Sequence, residues 1–165
     1  MALSWQHYLR PTLDQLWTTI PVPVFELAEH YGIKTYRRFL PDRIAAVLHR
    51  FDDRWYLYLN ATHSRERQRF TVAHELAHVI SCRNGHSLST SDFCLADREH
   101  YTDSRAAEIL MPAWKVRWLM SQNVPVSEMA ETFAVSKAAM RRRLDDFTRE
   151  EVRRFGNKLA SGKAI

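Results

Sequence analysis

Cysteine is nearly absent: Cys82 and Cys94 are the only thiols in 165 residues. Two cysteines make no disulfide framework of the kind that holds small secreted domains together, so both are expected as free thiols in a reducing compartment. Glycine and proline are also scarce, at four and six, while 45% of the residues are hydrophobic. That balance excludes a disordered chain and predicts a packed core. No apolar run approaches the roughly 18 residues that a membrane helix needs, and the N-terminus lacks the charged-then-apolar order of a signal peptide. A cytoplasmic protein with no membrane partner is the expectation. Internal repeats and low-complexity segments are missing as well.

The length suits one good core and is too short for two large ones. Charge is present but unevenly placed. Residues 137–165 hold nine Lys/Arg against four Asp/Glu, whereas residues 1–136 balance at fifteen each, so the net charge of +5 is entirely C-terminal. A basic end of this kind fits a solvated helix face, an acidic partner or nucleic acid.

His74-Glu75-Leu76-Ala77-His78 carries the chemistry. Residues four apart on an α-helix lie one turn apart on the same face, so two imidazoles at this spacing can share one metal ion. Glu75, rotated by about 100° from His74, stands where its carboxylate can take a proton from the water such an ion activates. The flanking Phe70, Val72, Ala73, Leu76, Ala77, Val79 and Ile80 suit a buried helix, in which an unsatisfied polar trio would be costly. Thr71 is read as its N-cap and Asn84-Gly85 as its stop. Cys82 lies too far along the axis, since three ligands strung over about 12 Å of helix cannot all reach one zinc.

Around this helix the pattern predicts an α+β fold. Residues 1–20 read as an amphipathic helical extension, with Pro11 as a break or first turn, and Pro21-Val22-Pro23 as an extended joint. A short helix over Val24–Tyr31, closed by Gly32, precedes three strand candidates: Ile33–Arg38, Ile44–Arg50 and Arg54–Asn60. Their short connections, with turns at Pro41-Asp42 and Asp52-Asp53, predict a small antiparallel three-stranded sheet. In the third strand Trp55, Leu57 and Leu59 alternate with Tyr56, Tyr58 and Asn60, giving one apolar face and one aromatic face with polar tips. Thr62–Gln68 reads as a polar link and residues 84–97 as a loop, followed by helices over Arg98–Met111 and Ala113–Met120.

A catalytic zinc usually takes three protein ligands and leaves a position for water. His86, Asp92, Cys94, Asp97, Glu99, His100, Asp103 and Glu108 are the candidates for the third. Glu99 and Asp103, four apart, could offer one carboxylate to the metal and the other to a ligating imidazole. By spacing alone the pair also fits a solvated helix edge, and Glu108 competes on equal terms.

Two blocks, Arg67–His78 and Ala106-Ala107-Glu108-Ile109-Leu110-Met111-Pro112, resemble the signatures of the ImmA/IrrE family of zinc metallopeptidases. Val135-Ser136 with Met140 and Arg143-Leu144 is similar to that family's C-terminal helix-turn-helix-like segment, so the likeness spans roughly residues 24–145. The resemblance implies a zincin-like helical core under the sheet and one zinc per chain. Counting back from Met111-Pro112, it places the third ligand on Glu99 and the imidazole-holding position on Asp103, and it leaves Glu108 as a buried structural carboxylate. Tyr101, Asp103 and Arg105 depart from the family's usual Glu, Asn and apolar residue. The expected organisation is an extension over 1–20, a metallopeptidase core over 21–120 and a C-terminal segment over 121–165 packed on that core.

In that last segment Ser127–Ala130 begins a helix, Ala134-Val135-Ser136 forms a turn, and Lys137–Leu144 starts a second helix that continues through Phe147, Val152 and Phe155. Ala134 stands where a left-handed residue, commonly Gly, is wanted. Arg141, Arg142 and Arg143 span most of a helical turn, so they cannot all face one DNA groove, and direct DNA binding is the less favoured use of this segment. The function implied is a zinc endopeptidase, with His74, His78 and Glu99 as ligands and Glu75 as base, cutting a helix-turn-helix transcriptional repressor so that mobile-element or stress-response genes are released. The alternative is a DNA-binding or repressor-sequestering regulator, or a toxin–antitoxin partner, whose zinc is not catalytic.

Overall fold

The computed structural model describes residues 13–83 and 95–160. In chain order these form α1 (Leu13–Thr18), α2 (Val24–His30), β1 (Ile33–Arg38), β2 (Ala46–Phe51), β3 (Arg54–Asn60), α3 (Arg65–Arg83), α4 (Leu95–Leu110), α5 (Ala113–Ser121), α6 (Val126–Phe133) and α7 (Lys137–Ala160). The first twelve residues of the expected helical extension, with Pro11, the Asn84-Gly85 stop and the candidates His86, Asp92 and Cys94 lie outside the described residues.

The sheet is mixed rather than antiparallel, with order β1-β3-β2. β1 runs parallel to β3, pairing Ile33 with Trp55 through Arg38 with Asn60, and β2 runs antiparallel to β3, pairing Ala46 with Leu59 through Phe51 with Arg54. Short connections suggested neighbours in space, but the link between β1 and β2 arches over the end of β3 instead. Asn60 holds that arch. Its side-chain amide donates to the carbonyls of Leu40, Pro41 and Ile44 at 3.1, 3.3 and 3.0 Å, and its backbone N–H donates to Ala45 at 3.0 Å. The β2–β3 turn is the expected Asp52-Asp53, both in the left-handed region at φ 49° and 57°, which matches the twist of a two-residue hairpin.

Helices α2 and α3 pack on the face of the sheet that carries Ile33, Leu57 and Leu59. One cluster of buried side chains runs from Leu16 through Leu27, Val72, Leu76 and Leu110 to Phe133 and Met140. α3 begins at Arg65, six residues before the expected cap, and the N–H of Arg67 finds Ser64 Oγ at 3.3 Å. Thr71 therefore lies inside the helix and its hydroxyl donates to the Arg67 carbonyl at 2.9 Å. The charged run Arg65–Arg67 is a solvated first turn, which polarity alone makes resemble a link. Gln68 ties this turn to the sheet: its amide donates to the carbonyls of Asn60 and His63, and its oxygen accepts from Arg37 Nε at 2.9 Å.

Ala134 closes α6 in the left-handed conformation at φ 51°, ψ 52°. Ala130, Val135 and Met140 are buried around that turn, with Leu144 packed against them. Two buried arginines join the segment to the rest. Arg69 donates to the carbonyls of Val22, Phe133 and Ala134, and Arg143 donates to that of Met111.

Candidate metal centre

Because α3 is regular through the motif, His74 and His78 project from one face, and their Nε2 atoms lie 3.1 Å apart with the rings at 73°. α4 packs along α3 and brings Glu99 to them. Glu99 Oε2 lies 3.3 Å from His74 Nε2, and Oε1 lies 4.0 Å from His78 Nε2. Asp103, one turn further along α4, lies on the other side of the His74 ring, with Oδ1 2.9 Å from Nδ1. Among the described residues, His74, His78 and Glu99 form the one group of ligand-type side chains whose atoms lie within 4.8 Å of one another.

The chemistry of these donors fits a zinc ion. Four-coordinate zinc with bonds near 2.0–2.1 Å sets its ligand atoms about 3.3 Å apart, and the separations of 3.1, 3.3 and 4.0 Å bracket that value. A carboxylate only accepts hydrogen bonds, so the Asp103 contact requires the proton on His74 Nδ1 and leaves the Nε2 lone pair facing His78 and Glu99. Such a convergence of electron pairs calls for a cation. Burial, and then the neighbouring His74, hold His78 below its ordinary value of 6.5, outweighing the opposite pull of Glu99 and Asp103. A neutral, metal-ready imidazole is favoured there.

Glu75 is half-buried beside the two histidines. Burial pushes its carboxyl above the ordinary 4.5; His74 pulls it back and Glu99 pushes it further up. A carboxylate with a raised affinity for protons, next to a cation site, is suited to collecting a proton and handing it on.

The sequence matches the IrrE N-terminal-like domain, Peptidase M78, over residues 16–145. The chain belongs to this family. Among solved structures it is similar to a Mycobacterium tuberculosis transcriptional regulator, with 19% identity and a TM-score of 0.58 over 73% of this chain. The likeness is one of fold, and the chain spans 38% of that regulator's length. No curated protein matches it significantly.

Within this M78 domain, Glu108 does not join the cluster and is not the buried carboxylate expected. Its side chain is 43% exposed and it pairs with Arg105 at 2.8 Å. The unusual Arg105 also donates to Tyr101 Oη at 3.1 Å and lies over the Tyr101 ring. Two of the departures from the family pattern thus satisfy each other on the outer face of α4, one turn apart. Arg142 is the residue that sequence reasoning missed. From α7 its guanidinium reaches Nδ1 of His100 at 3.2 Å and comes within 3.9 Å of Asp103 Oδ2. The signal was present in the arginine triplet, since three consecutive helical residues diverge by about 100° each. Arg143 turns inward and is 6% exposed, Arg142 faces α4, and Arg141 is exposed. A cleft of about 470 Å³ adjoins Asp103 and Arg142, floored by Phe70, Ala107, Met111 and Val135.

Proposed function

We propose that this M78 domain is a zinc-dependent endopeptidase that hydrolyses a peptide bond in a helix-turn-helix transcriptional repressor and so relieves repression of mobile-element or stress-response genes. The observation that carries the catalytic part is the convergence of His74, His78 and Glu99 within 4.8 Å, with Glu75 next in the chain. Family membership supports peptidase chemistry and motivates the choice of substrate.

Zinc held by these three side chains would supply Lewis acidity, polarising the scissile carbonyl and acidifying water. Asp103 keeps the His74 proton on Nδ1 and fixes the ring's direction. Glu75 takes a proton from the attacking water at its carboxylate and delivers it to the leaving amine nitrogen. Partial burial of His74 and His78, with 17% and 22% of their side chains exposed, limits competing water, while Glu99 at 59% leaves the ligand set reachable from solvent.

The test is incubation of the zinc-loaded protein with candidate repressors, followed by mass analysis of the fragments. One defined cut is expected from the parent, and Glu75→Gln should retain zinc while losing at least a hundredfold in rate. Undiminished cleavage by Glu75→Gln would remove the proposed base, and intact repressors throughout would remove the substrate class.

A further inference from the structure

The outer face of the sheet plays no part in the site above, and its composition is unusual. Alternation along the paired strands puts Leu57 and Leu59 on the core side and Lys34, Tyr36 and Arg38 of β1 outward, in register with Tyr56, Tyr58 and Asn60 of β3. On the other side of β3, Val47 and His49 stand beside Tyr58 and Tyr56, and Phe51 stands beside Arg54. Both edge strands therefore flank a central row of tyrosines.

Aromatic rings and cations alternate across this face, and its strand positions contain no carboxylate. Tyr36 and Tyr58 stack at 5.6 Å between centroids, and His49 and Phe51 at 6.4 Å. Phe51 is 66% exposed and Tyr36 36%. Lys34, Arg38 and Arg54 are exposed, and none pairs with a carboxylate among the described residues. The nearest acidic residues in sequence, Asp52 and Asp53, occupy the hairpin turn, where Asp53 is paired with Arg50 at 2.7 Å.

From this charge complementarity we infer that the outer sheet face binds single-stranded nucleic acid, with bases stacked on its exposed rings and phosphates held by Lys34, Arg38 and Arg54. A single strand offers both components at once, since every base has a π-face and every linkage a negative charge. Duplex DNA hides its base faces and is read by an element that enters a groove, which a broad sheet face does not do. An acidic peptide would use the cations and leave the rings idle. The inference is independent of the zinc site and stands or falls apart from the peptidase reading.

Fluorescence anisotropy of labelled 15-mer oligo(dT) and oligo(U), titrated with the full chain, tests it. Binding should weaken about 20-fold between 50 and 200 mM salt if three phosphate contacts form. Tyr36→Ala with Phe51→Ala should weaken it about tenfold or more, and Lys34→Glu with Arg54→Glu should abolish it. Circular dichroism and zinc content of these surface variants should match the parent. No anisotropy change at 100 µM protein in 50 mM salt would overturn the inference. So would parent-like binding by the charge-reversed variant, which would move the contact to the basic C-terminal helix. Equal or tighter binding of duplex DNA or poly-Glu, with the ring variants silent, would overturn it as well.

Discussion

Two carboxylates one turn apart on α4, Glu99 and Asp103, stand at the candidate metal centre, and the role proposed for each is testable alone. Glu99→Ala removes a candidate ligand atom and should weaken zinc binding far more than Glu108→Ala, which removes only a surface partner of Arg105. Competition with a chromogenic chelator measures both, and tight zinc retained only in the Glu99 variant would reverse the assignment. Asp103→Ala should cost about 10- to 100-fold in zinc affinity by freeing the His74 ring. Arg142→Ala should cost less, since its guanidinium stands 3.9 Å from Asp103. Glu75 gives a pH signature. Its folded value is raised above 4.5 by burial, so its contribution to stability is full below that value and is lost as pH rises through the raised value and the carboxyl ionises. Metal-free Glu75→Gln should therefore melt higher than the metal-free parent at pH 8, with the gap closing as pH falls toward 4.5. A gap that widens on acidification would contradict this sign. At this scale the sequence was legible where helical spacing governs, as for His74 and His78 on one face of α3, whereas spacing alone left Glu99 and Glu108 level and the family resemblance chose between them. The sequence was silent on Arg142, whose role depends on how α7 lies against α4.

Elements were legible where local pattern decides them and misread where long-range pairing does. The helical periodicity of α3 and α7 and the alternation in β3 emerged from the sequence, as did the left-handed turn at Ala134. The order of the strands did not, because it rests on Asn60, which looks in sequence like one more polar residue on an outward face. It is fully buried and holds the arch over β3. Asn60→Ala should destabilise the protein by about 2–4 kcal/mol by removing the amide that the Leu40 and Ile44 carbonyls accept from, while the Pro41 carbonyl keeps the Ile44 N–H. Denaturant unfolding checks it, and a loss under 1 kcal/mol would show that water replaces the amide. Ala134→Gly should act in the other direction. A left-handed alanine costs about 1 kcal/mol that glycine does not incur, so a rise of roughly 2–4 °C in the melting temperature is expected.

At the scale of the whole molecule, the joint between α3 and the C-terminal helices includes a buried cation with, among the described residues, no buried carboxylate beside it. Arg69 is 8% exposed, and burial holds its guanidinium below the usual arginine range. It spends its donors on the carbonyls of Val22, Phe133 and Ala134, which belong to the joint before α2 and to the end of α6. Nothing in the local sequence marks this residue, which sits among other arginines in the first turns of α3; only the meeting of segments 47 and 65 positions away gives it partners. The bonds converge one turn before His74, so the helix that carries the candidate ligands is also the one that clamps the C-terminal segment. Arg69→Met keeps much of the volume but removes every donor, costing the Phe133 and Ala134 carbonyls about 1 kcal/mol or more each, while the Val22 carbonyl keeps the Val24 N–H. A fall in melting temperature is expected, together with faster limited proteolysis around the α5–α6 link at residues 122–125, while zinc content at low temperature stays near the parent's. Unchanged melting and unchanged proteolysis would mean that the apolar cluster from Leu16 to Met140 joins these helices without the guanidinium.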